Sequence, residues 1–328
     1  MSDKAPFFLA GVDRSGIGLL GELLEAHPQI AVTRRINFWS FYYRRYGDLR
    51  DPANLDRCLA AMMRYTRISR LQPDADRLKV DFRERAADDG YAGLFALLQE
   101  QNMHRLGKSR WADKSLNAEG QAEIILNAFP TARMIHILRD PRDRYISQLT
   151  HRGARRGKVG GAAALWLWSA RLAERNRQAF PGRYKIVRYE DLVAAPELFL
   201  KELCDFIGEE YSPEMLLANV AGSDAPEPRQ IWTHSVGRYR QAMSAAEIGF
   251  MQWSLGRRML NHGYRLDDQR RSFAVRLKNA AVDYPFNLAL MGLALAQSGL
   301  RDLRGRRPSD RRLARRPSAT LEAGRANS

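Results

Sequence analysis

The sequence predicts an α/β fold of three layers, a central parallel sheet flanked by helices, on three observations. Residues 7–24 (FFLAGVDRSGIGLLGELL) read as strand, glycine-rich turn and helix. Short apolar runs then alternate with helical periodicity further along the chain, as a parallel sheet with crossover helices requires. At 328 residues and 45% hydrophobic, the chain can bury a core of that size.

The apolar run Phe7, Phe8, Leu9, Ala10 enters a loop containing Gly11, Gly16 and Gly18. Leu19, Leu20, Leu23 and Leu24 then recur on one helix face, which His27-Pro28 ends. Strand, glycine turn and helix aim backbone N–H groups and a helix N-terminus at a phosphate. Arg14 adds a cation to that turn and Ser15 a hydroxyl. The spacing Gly11-x-x-x-x-Gly16 is that of a Walker A loop, but Ile17-Gly18 stand where Lys and Ser/Thr would be. Without them the β/γ-phosphates lack their cation and Mg²⁺ lacks its hydroxyl ligand. A Mg-dependent NTPase is therefore not expected. A metal-free phosphate or sulfate cradle and an ordinary βα turn both stay open.

Residues 30–32 (IAV) make a second strand that runs into TRRINFW at 33–39. The stretch 40–46 (SFYYRRY) is aromatic and basic, and reads either as a substrate mouth or as core packing. A helix is expected at 54–67 with Leu59, Met62 and Met63 inward, then a loop at 72–77 and a weak strand at 80–82 (VDF). Leu94, Leu97 and Leu98 repeat at helical spacing within 91–101. Residues 109–115 (SRWADKS) read as a strand ending in a polar cluster, followed by a helix at 118–129. The run 134–138 (MIHIL) is a buried strand with RDPRD at its end, where Asp140 as N-cap and Pro141 in the first turn start a helix reaching residue 150. Ligands of such sheets sit beyond the C-terminal strand ends, where Arg14, Lys114 and Arg139 all fall.

Residues 151–161 (HRGARRGKVGG) read as a basic loop, either a solvated charge run or a lid over an anion. A long helix at 162–180 carries Trp166 and Trp168, and 184–187 is a further strand continued by RYEDL. A core helix at 196–207, a surface loop at 222–230 and a helix at 245–260 follow, with SVGRYR at 235–240 before the last. From about residue 267 the composition changes, the stretch 301–316 is arginine-dense, and the last residues have the composition of disorder. The expected division is an α/β domain at 1–266 and, at 267–328, a basic helical extension with a disordered tail.

A formal charge of +16 and a pI near 10.2 favour anionic partners: nucleotides, sulfated or phosphorylated substrates, nucleic acid or anionic lipid. Cys58 and Cys204 sit in helical contexts as small apolar residues, not as a disulfide or a metal pair. The N-terminus has no signal-peptide pattern, and the most apolar run, 286–296, is too short for a bilayer span. The expectation is a cytoplasmic protein, with attachment to an anionic membrane surface through the basic tail left open.

Taken together, four stretches resemble the sulfotransferase family that uses 3′-phosphoadenosine 5′-phosphosulfate (PAPS). They are GVDRSGIGLL at 11–20, ILRDPRDRYIS at 137–147, VRYEDL at 187–192 and SVGRYR at 235–240, with HPQIAV at 27–32 and WADKS at 111–115 as similar connectors. The resemblance covers about residues 7–265, in order. It implies a P-loop-like fold and transfer of a sulfuryl group from PAPS, without a metal, to a hydroxyl or amine. The acceptor, a carbohydrate, lipid or small metabolite, is unidentified. It places the 5′-phosphosulfate loop on Arg14, Ser15, Gly16, Ile17 and Gly18. The 3′-phosphate pair falls on Arg139 and Ser147, a position near the adenine on Tyr189, and a late closing loop on Gly237 and Arg238. Arg14 and Lys114 would neutralise charge growing on the leaving phosphate.

The departures bear on catalysis. Many members of the family read Pro-Arg/Lys-Ser-Gly-Thr-Thr/Ser where this chain has Asp13-Arg14-Ser15-Gly16-Ile17-Gly18, so both hydroxyl donors are lost. A related subgroup carries its catalytic Glu just after the second strand, where this chain reads Arg34-Arg35. Asp13 and Asp113 are the replacement candidates for the base, while His27 and His136 sit in more structural contexts. One alternative is a catalytically degenerate member that binds a nucleotide or anionic partner without transfer. Another is an anionic-surface binder working through the arginine-rich tail.

Overall fold

Five strands run parallel in one sheet in the order β2-β3-β1-β4-β5. They are β1 (Phe7–Ala10), β2 (Ile30–Arg34), β3 (Arg110–Lys114), β4 (Arg133–Leu138) and β5 (Tyr184–Arg188). The computed structural model describes residues 4–115, 117–152, 158–217, 235–268 and 279–304. Central strand β1 pairs with β3 through Leu9 and Lys114 and with β4 through Ala10 and His136. All four β1 residues are fully buried, which is why they read as a continuous apolar run.

Alternate residues of each strand serve opposite layers. Phe8, Trp111 and Met134 face one side, packing on Leu55 and Met62 of α2 (Pro52–Arg64) and on Leu94, Phe95 and Leu98 of α4 (Gly90–Arg105). Phe7, Leu9, Val32, Ile135 and Ile137 face the other, against Leu20 and Leu24 of α1 (Ile17–Glu25) and, near the chain's later half, Leu200 and Leu203 of α8 (Pro196–Ile207). A third cluster joins α6 (Pro141–Arg152), α7 (Val159–Ala179), α9 (Ala245–Asn261) and α10 (Tyr284–Arg304) through Tyr145, Trp166, Phe250 and Met291. The remaining longer helices are α3 (Ala75–Arg85) and α5 (Ala122–Ala128). Cys58 and Cys204 are buried free thiols.

Local expectations are corrected at residues 80–82, 72–77 and 151–161, and one left open at 40–46 is decided. Residues 80–82 are not a strand but part of α3, because Leu78 and Phe82 are a helical step apart and both buried. Its N-cap Asp74 accepts the Arg77 N–H at 2.9 Å, so the expected loop at 72–77 gives way to helix at Ala75. The aromatic stretch at 40–46 is core packing: Phe41 and Tyr42 are buried, and Tyr43 and Tyr46 pack on the same cluster. The loop expected at 151–161 is already helical from Val159 onward. Gly160 is needed there, since a Cβ would collide with the Asn287 carbonyl of α10.

Residues 153–157 of that basic stretch, the expected loop at 222–230, and the tail beyond residue 304 lie outside the described residues. Among the described residues, no helix is long and apolar enough to cross a membrane.

Candidate active site

The β1–α1 loop leaves the sheet at Gly11, whose φ of 140° and close approach to the Ile137 carbonyl exclude a side chain. Ser15 N–H closes a turn onto the Val12 carbonyl at 3.1 Å. Gly16, at φ 97°, is the residue before α1, and a Cβ there would run into the Tyr189 ring. Ile17 puts its side chain into the core, so only its backbone faces the loop. At Gly18 an added Cβ would meet nothing.

Helix α6 ties that loop to the rest of the site. Asp140 caps it by accepting the Arg142 N–H at 2.9 Å, as the sequence predicts. Arg144 Nε donates to the Asp13 carbonyl at 3.1 Å, and Ser147 Oγ accepts from Arg14 Nε at 3.0 Å. Asp143 accepts the backbone N–H groups of Gly237 (2.6 Å) and Tyr239 (2.9 Å), which draws the late loop onto the same helix. Burial raises the Asp143 carboxyl and those two backbone bonds oppose the rise. Arg238 is exposed beside them.

Arg139, just past the end of β4, is buried and stacks over Tyr189 with its guanidinium carbon 4.3 Å from the ring centroid. Its Nη1 donates to the Arg14 carbonyl at 3.3 Å and its Nη2 to the Ser235 carbonyl at 2.7 Å. Tyr189 and Ser235 share a hydroxyl hydrogen bond at 2.6 Å. Arg139 therefore does not spend its guanidinium on Asp143. Its Nε, like Ser15 Oγ, is buried without a hydrogen-bond partner among the described residues. A buried donor lacking an acceptor costs about 1–3 kcal/mol, so this pair suits an anionic ligand that accepts from both.

Lys114 ends β3 with its side chain laid along α1 at Gly21. Burial pulls its ammonium down to about 8, and the charges of Arg34 and Arg35 push the same way. Arg35 N–H donates to the Lys114 carbonyl at 2.8 Å, and Arg35 Nη2 lies 3.4 Å from Asp13 Oδ1. Arg34 is taken by Glu22 and Glu25 of α1. Asp113 is fully enclosed, bonded by Thr33 Oγ1 at 2.9 Å, and burial pushes it up to about 6. That enclosure makes it a poor match for a base that must reach an acceptor. His27 is structural, its ring bonding the Glu210 carbonyl and the Gln29 N–H.

Glu119, in the turn Ala118–Gln121, carries no sequence signal, yet it holds the loop from below. Its Oε2 accepts the Gly11 N–H at 3.2 Å and its Oε1 accepts from Ser169 at 3.0 Å. Ser169 meets His136 Nε2 at 2.9 Å, and His136 Nδ1 meets the Tyr184 hydroxyl at 2.7 Å. Asn176 Nδ2 donates to the Glu119 carbonyl at 2.8 Å and reaches Tyr184 at 3.4 Å. Burial pushes His136 down to about 3, so the ring is uncharged. One polarity satisfies every atom: Tyr184 donates to His136, His136 to Ser169, and Ser169 to Glu119. Nothing short of the fold could reveal this, because its members come from four separate elements.

Among the described residues, no group of His, Cys, Asp and Glu is placed to hold a metal ion. A family model described as "Sulfotransferase family" matches residues 6–213. Among solved structures the chain is similar to the sulfotransferase domain of the Synechococcus PCC 7002 olefin synthase. That match has 22% identity over 81% of this chain and 98% of that one, with a TM-score of 0.56. It is also similar to the sulfotransferase domain from the curacin biosynthetic pathway, at 19% identity over 81% of this chain and 100% of that one, with a TM-score of 0.52. No curated protein sequence matches. At these identities the structural likeness speaks for the fold: an all-parallel sheet flanked by helices, as in those domains.

Proposed function

The chain belongs to the sulfotransferase family, and on that premise we propose that it moves a sulfuryl group from PAPS to a hydroxyl or amine of an acceptor. The observation that carries this reading is the pair of buried donors without a partner among the described residues, Ser15 Oγ in the β1–α1 loop and Nε of Arg139, whose side chain bonds the Arg14 carbonyl of that loop. The loop's backbone from Arg14 to Gly18 would hold the 5′-phosphosulfate, with Ser15 replacing part of the missing hydroxyl set. Arg139 and Ser147 would take the 3′-phosphate, Tyr189 would lie by the adenine, and Gly237 and Arg238 would close over the nucleotide.

In this reading the acceptor oxygen forms its bond to sulfur as the bond from sulfur to the 5′-phosphate oxygen breaks. The acceptor's proton passes to the Asp13 carboxylate, and adenosine 3′,5′-bisphosphate leaves. Lys114 and Arg14 would neutralise charge on the leaving phosphate, so the chain contributes position and electrostatics more than covalent chemistry. Residues 1–266 would form the transfer unit, with 267–328 as an extension.

A second reading, nucleotide binding without transfer, is favoured by Gly18 in place of a hydroxyl donor and by Arg35 pairing with the candidate base Asp13. Calorimetric titration with adenosine 3′,5′-bisphosphate tests the common ground of both. Binding that Arg139→Ala weakens by about 1.5–3 kcal/mol, as for a hydrogen bond to a charged group, is expected. Folded wild-type protein that does not bind would overturn the nucleotide assignment. Binding with no transfer from PAPS to any of a broad acceptor panel would select the second reading.

A further inference from the structure

We propose that Arg35 selects the acceptor. Its guanidinium binds an oxyanion, a carboxylate or a phosphate, carried by the molecule that receives the sulfuryl group, and gives up Asp13 in doing so. The inference rests on the sulfuryl-transfer reading and adds the charge class of the acceptor, which that reading leaves open.

The order of the strands separates the two substrates. The residues that reading gives to the 3′-phosphate and the adenine, Arg139 and Tyr189, stand just past the ends of β4 and β5. Ser147 lies on α6, to which Gly237 is drawn by Asp143. Lys114 ends β3 and Arg35 follows β2, on the other side of β1 in the order β2-β3-β1-β4-β5. The acceptor is thereby left the β2–β3 side of the β1–α1 loop, where Arg35 Nη2 meets Asp13 Oδ1.

The backbone of Arg35 is pinned there. Arg35 and Asn37 take φ of 59° and 51°, a left-handed conformation uncommon outside glycine. Arg35 N–H donates to the Lys114 carbonyl at 2.8 Å, and the Arg35 carbonyl accepts the Tyr65 hydroxyl at 3.1 Å. Asn37 N–H donates to Ser115 Oγ at 3.1 Å, and its side-chain amide to the Tyr65 hydroxyl at 3.2 Å. Such strain persists only where neighbours hold it, and it clusters at binding sites. The guanidinium is held far less. It is 41% exposed, and its one side-chain partner among the described residues is Asp13, at 3.4 Å. The adjacent Arg34 is closed off by Glu22 and Glu25.

A guanidinium presents five N–H donors in a planar fork that matches two oxygens of a carboxylate or phosphate. The long contact to Asp13 uses one of them, so an oxyanion finds the others open. The exchange also frees Asp13 Oδ1 to take the acceptor's proton. A neutral acceptor would leave Arg35 on Asp13, and a cationic one would meet Arg35 and Lys114 as like charges.

The test is calorimetric titration of the full-length chain, saturated with adenosine 3′,5′-bisphosphate. The probes are 3-hydroxybenzoate, 3-hydroxyphenyl phosphate, 3-hydroxybenzamide and 3-hydroxybenzylamine, and transfer from PAPS to each is then measured. Wild type should bind the carboxylate or the phosphate about tenfold more tightly than the amide, and the tighter of the two names the oxyanion. Arg35→Asn, which tolerates the left-handed backbone, should erase that preference, and Arg35→Lys should keep part of it. If the Asn variant melts lower, Arg35→Gly, suited to that φ, replaces it. Asp13→Asn removes the carboxylate that competes for Arg35, so it should tighten oxyanion binding severalfold while abolishing transfer. Equal binding of acid and amide, no binding of any of the four, a preference that survives loss of Arg35, or weaker oxyanion binding by Asp13→Asn would each overturn the inference. Each of these leaves the nucleotide reading in place so long as the bisphosphate binds, whereas failure of the bisphosphate to bind would overturn both.

Discussion

Arg14 and Ser147 lie 133 positions apart in sequence, and Arg14 Nε donates to Ser147 Oγ at 3.0 Å. The contact joins the loop assigned to the 5′-phosphosulfate with the helix assigned to the 3′-phosphate. Arg14→Ala and Ser147→Ala should therefore weaken adenosine 3′,5′-bisphosphate binding non-additively, with a coupling of about 0.5–3 kcal/mol in a calorimetric double-mutant cycle. Additive losses would mean the two residues serve the nucleotide separately.

Two glycines two positions apart should respond differently to substitution. Gly16→Ala combines a strained φ with a collision against Tyr189, and should cost about 1–3 kcal/mol of stability by chemical denaturation. Gly18→Ser has open space and ordinary φ, and returns a hydroxyl to the first turn of α1. It should leave stability intact and tighten nucleotide binding by about 1 kcal/mol.

Lys114 should trade stability for function. Its folded-state value of about 8 lies below the 10.5 of a free lysine, so between those values the unfolded chain binds more protons and stability rises with pH. Below about pH 8 the cost of the buried charge is present in full. Lys114→Met removes it, and should melt higher than wild type at pH 7, with the gap closing as pH approaches 10.5. The same variant should lose transfer activity.

Glu119→Gln, though isosteric, should destabilise. A Gln oxygen turned to the Gly11 N–H forces its amide to donate to Ser169, which reverses the roles along Ser169, His136 and Tyr184 and strands the Tyr184 proton. A loss of about 1–3 kcal/mol in chemical denaturation is expected, with faster hydrogen exchange at the Gly11 amide.

Patterns confined to a few neighbouring residues were readable in advance. The strand, turn and helix around Gly16 and the Asp140-Pro141 helix start announce themselves through turn and cap chemistry, and the ladder of parallel strands through apolar runs. Asp113 and Lys114 both fall at the end of β3, but only the fold shows one enclosed by Thr33 and the other laid along α1. Residues 80–82 misled because three residues do not separate alternation from a helical step. The apolar run of α10 looks like core in sequence, since periodicity cannot tell a buried face from an exposed one. Glu119 was silent because its partners are set by the packing of α7 beneath the loop.

Helix α7 carries Ser169 and Asn176, which hold Glu119 under the Gly11 amide, and, nearer its start, Gly160, which seats α10. One helix thus carries both the support of the Gly11 loop, along its length, and the seat of α10, near its start. A displacement of α7 would therefore disturb two distant parts of the fold at once.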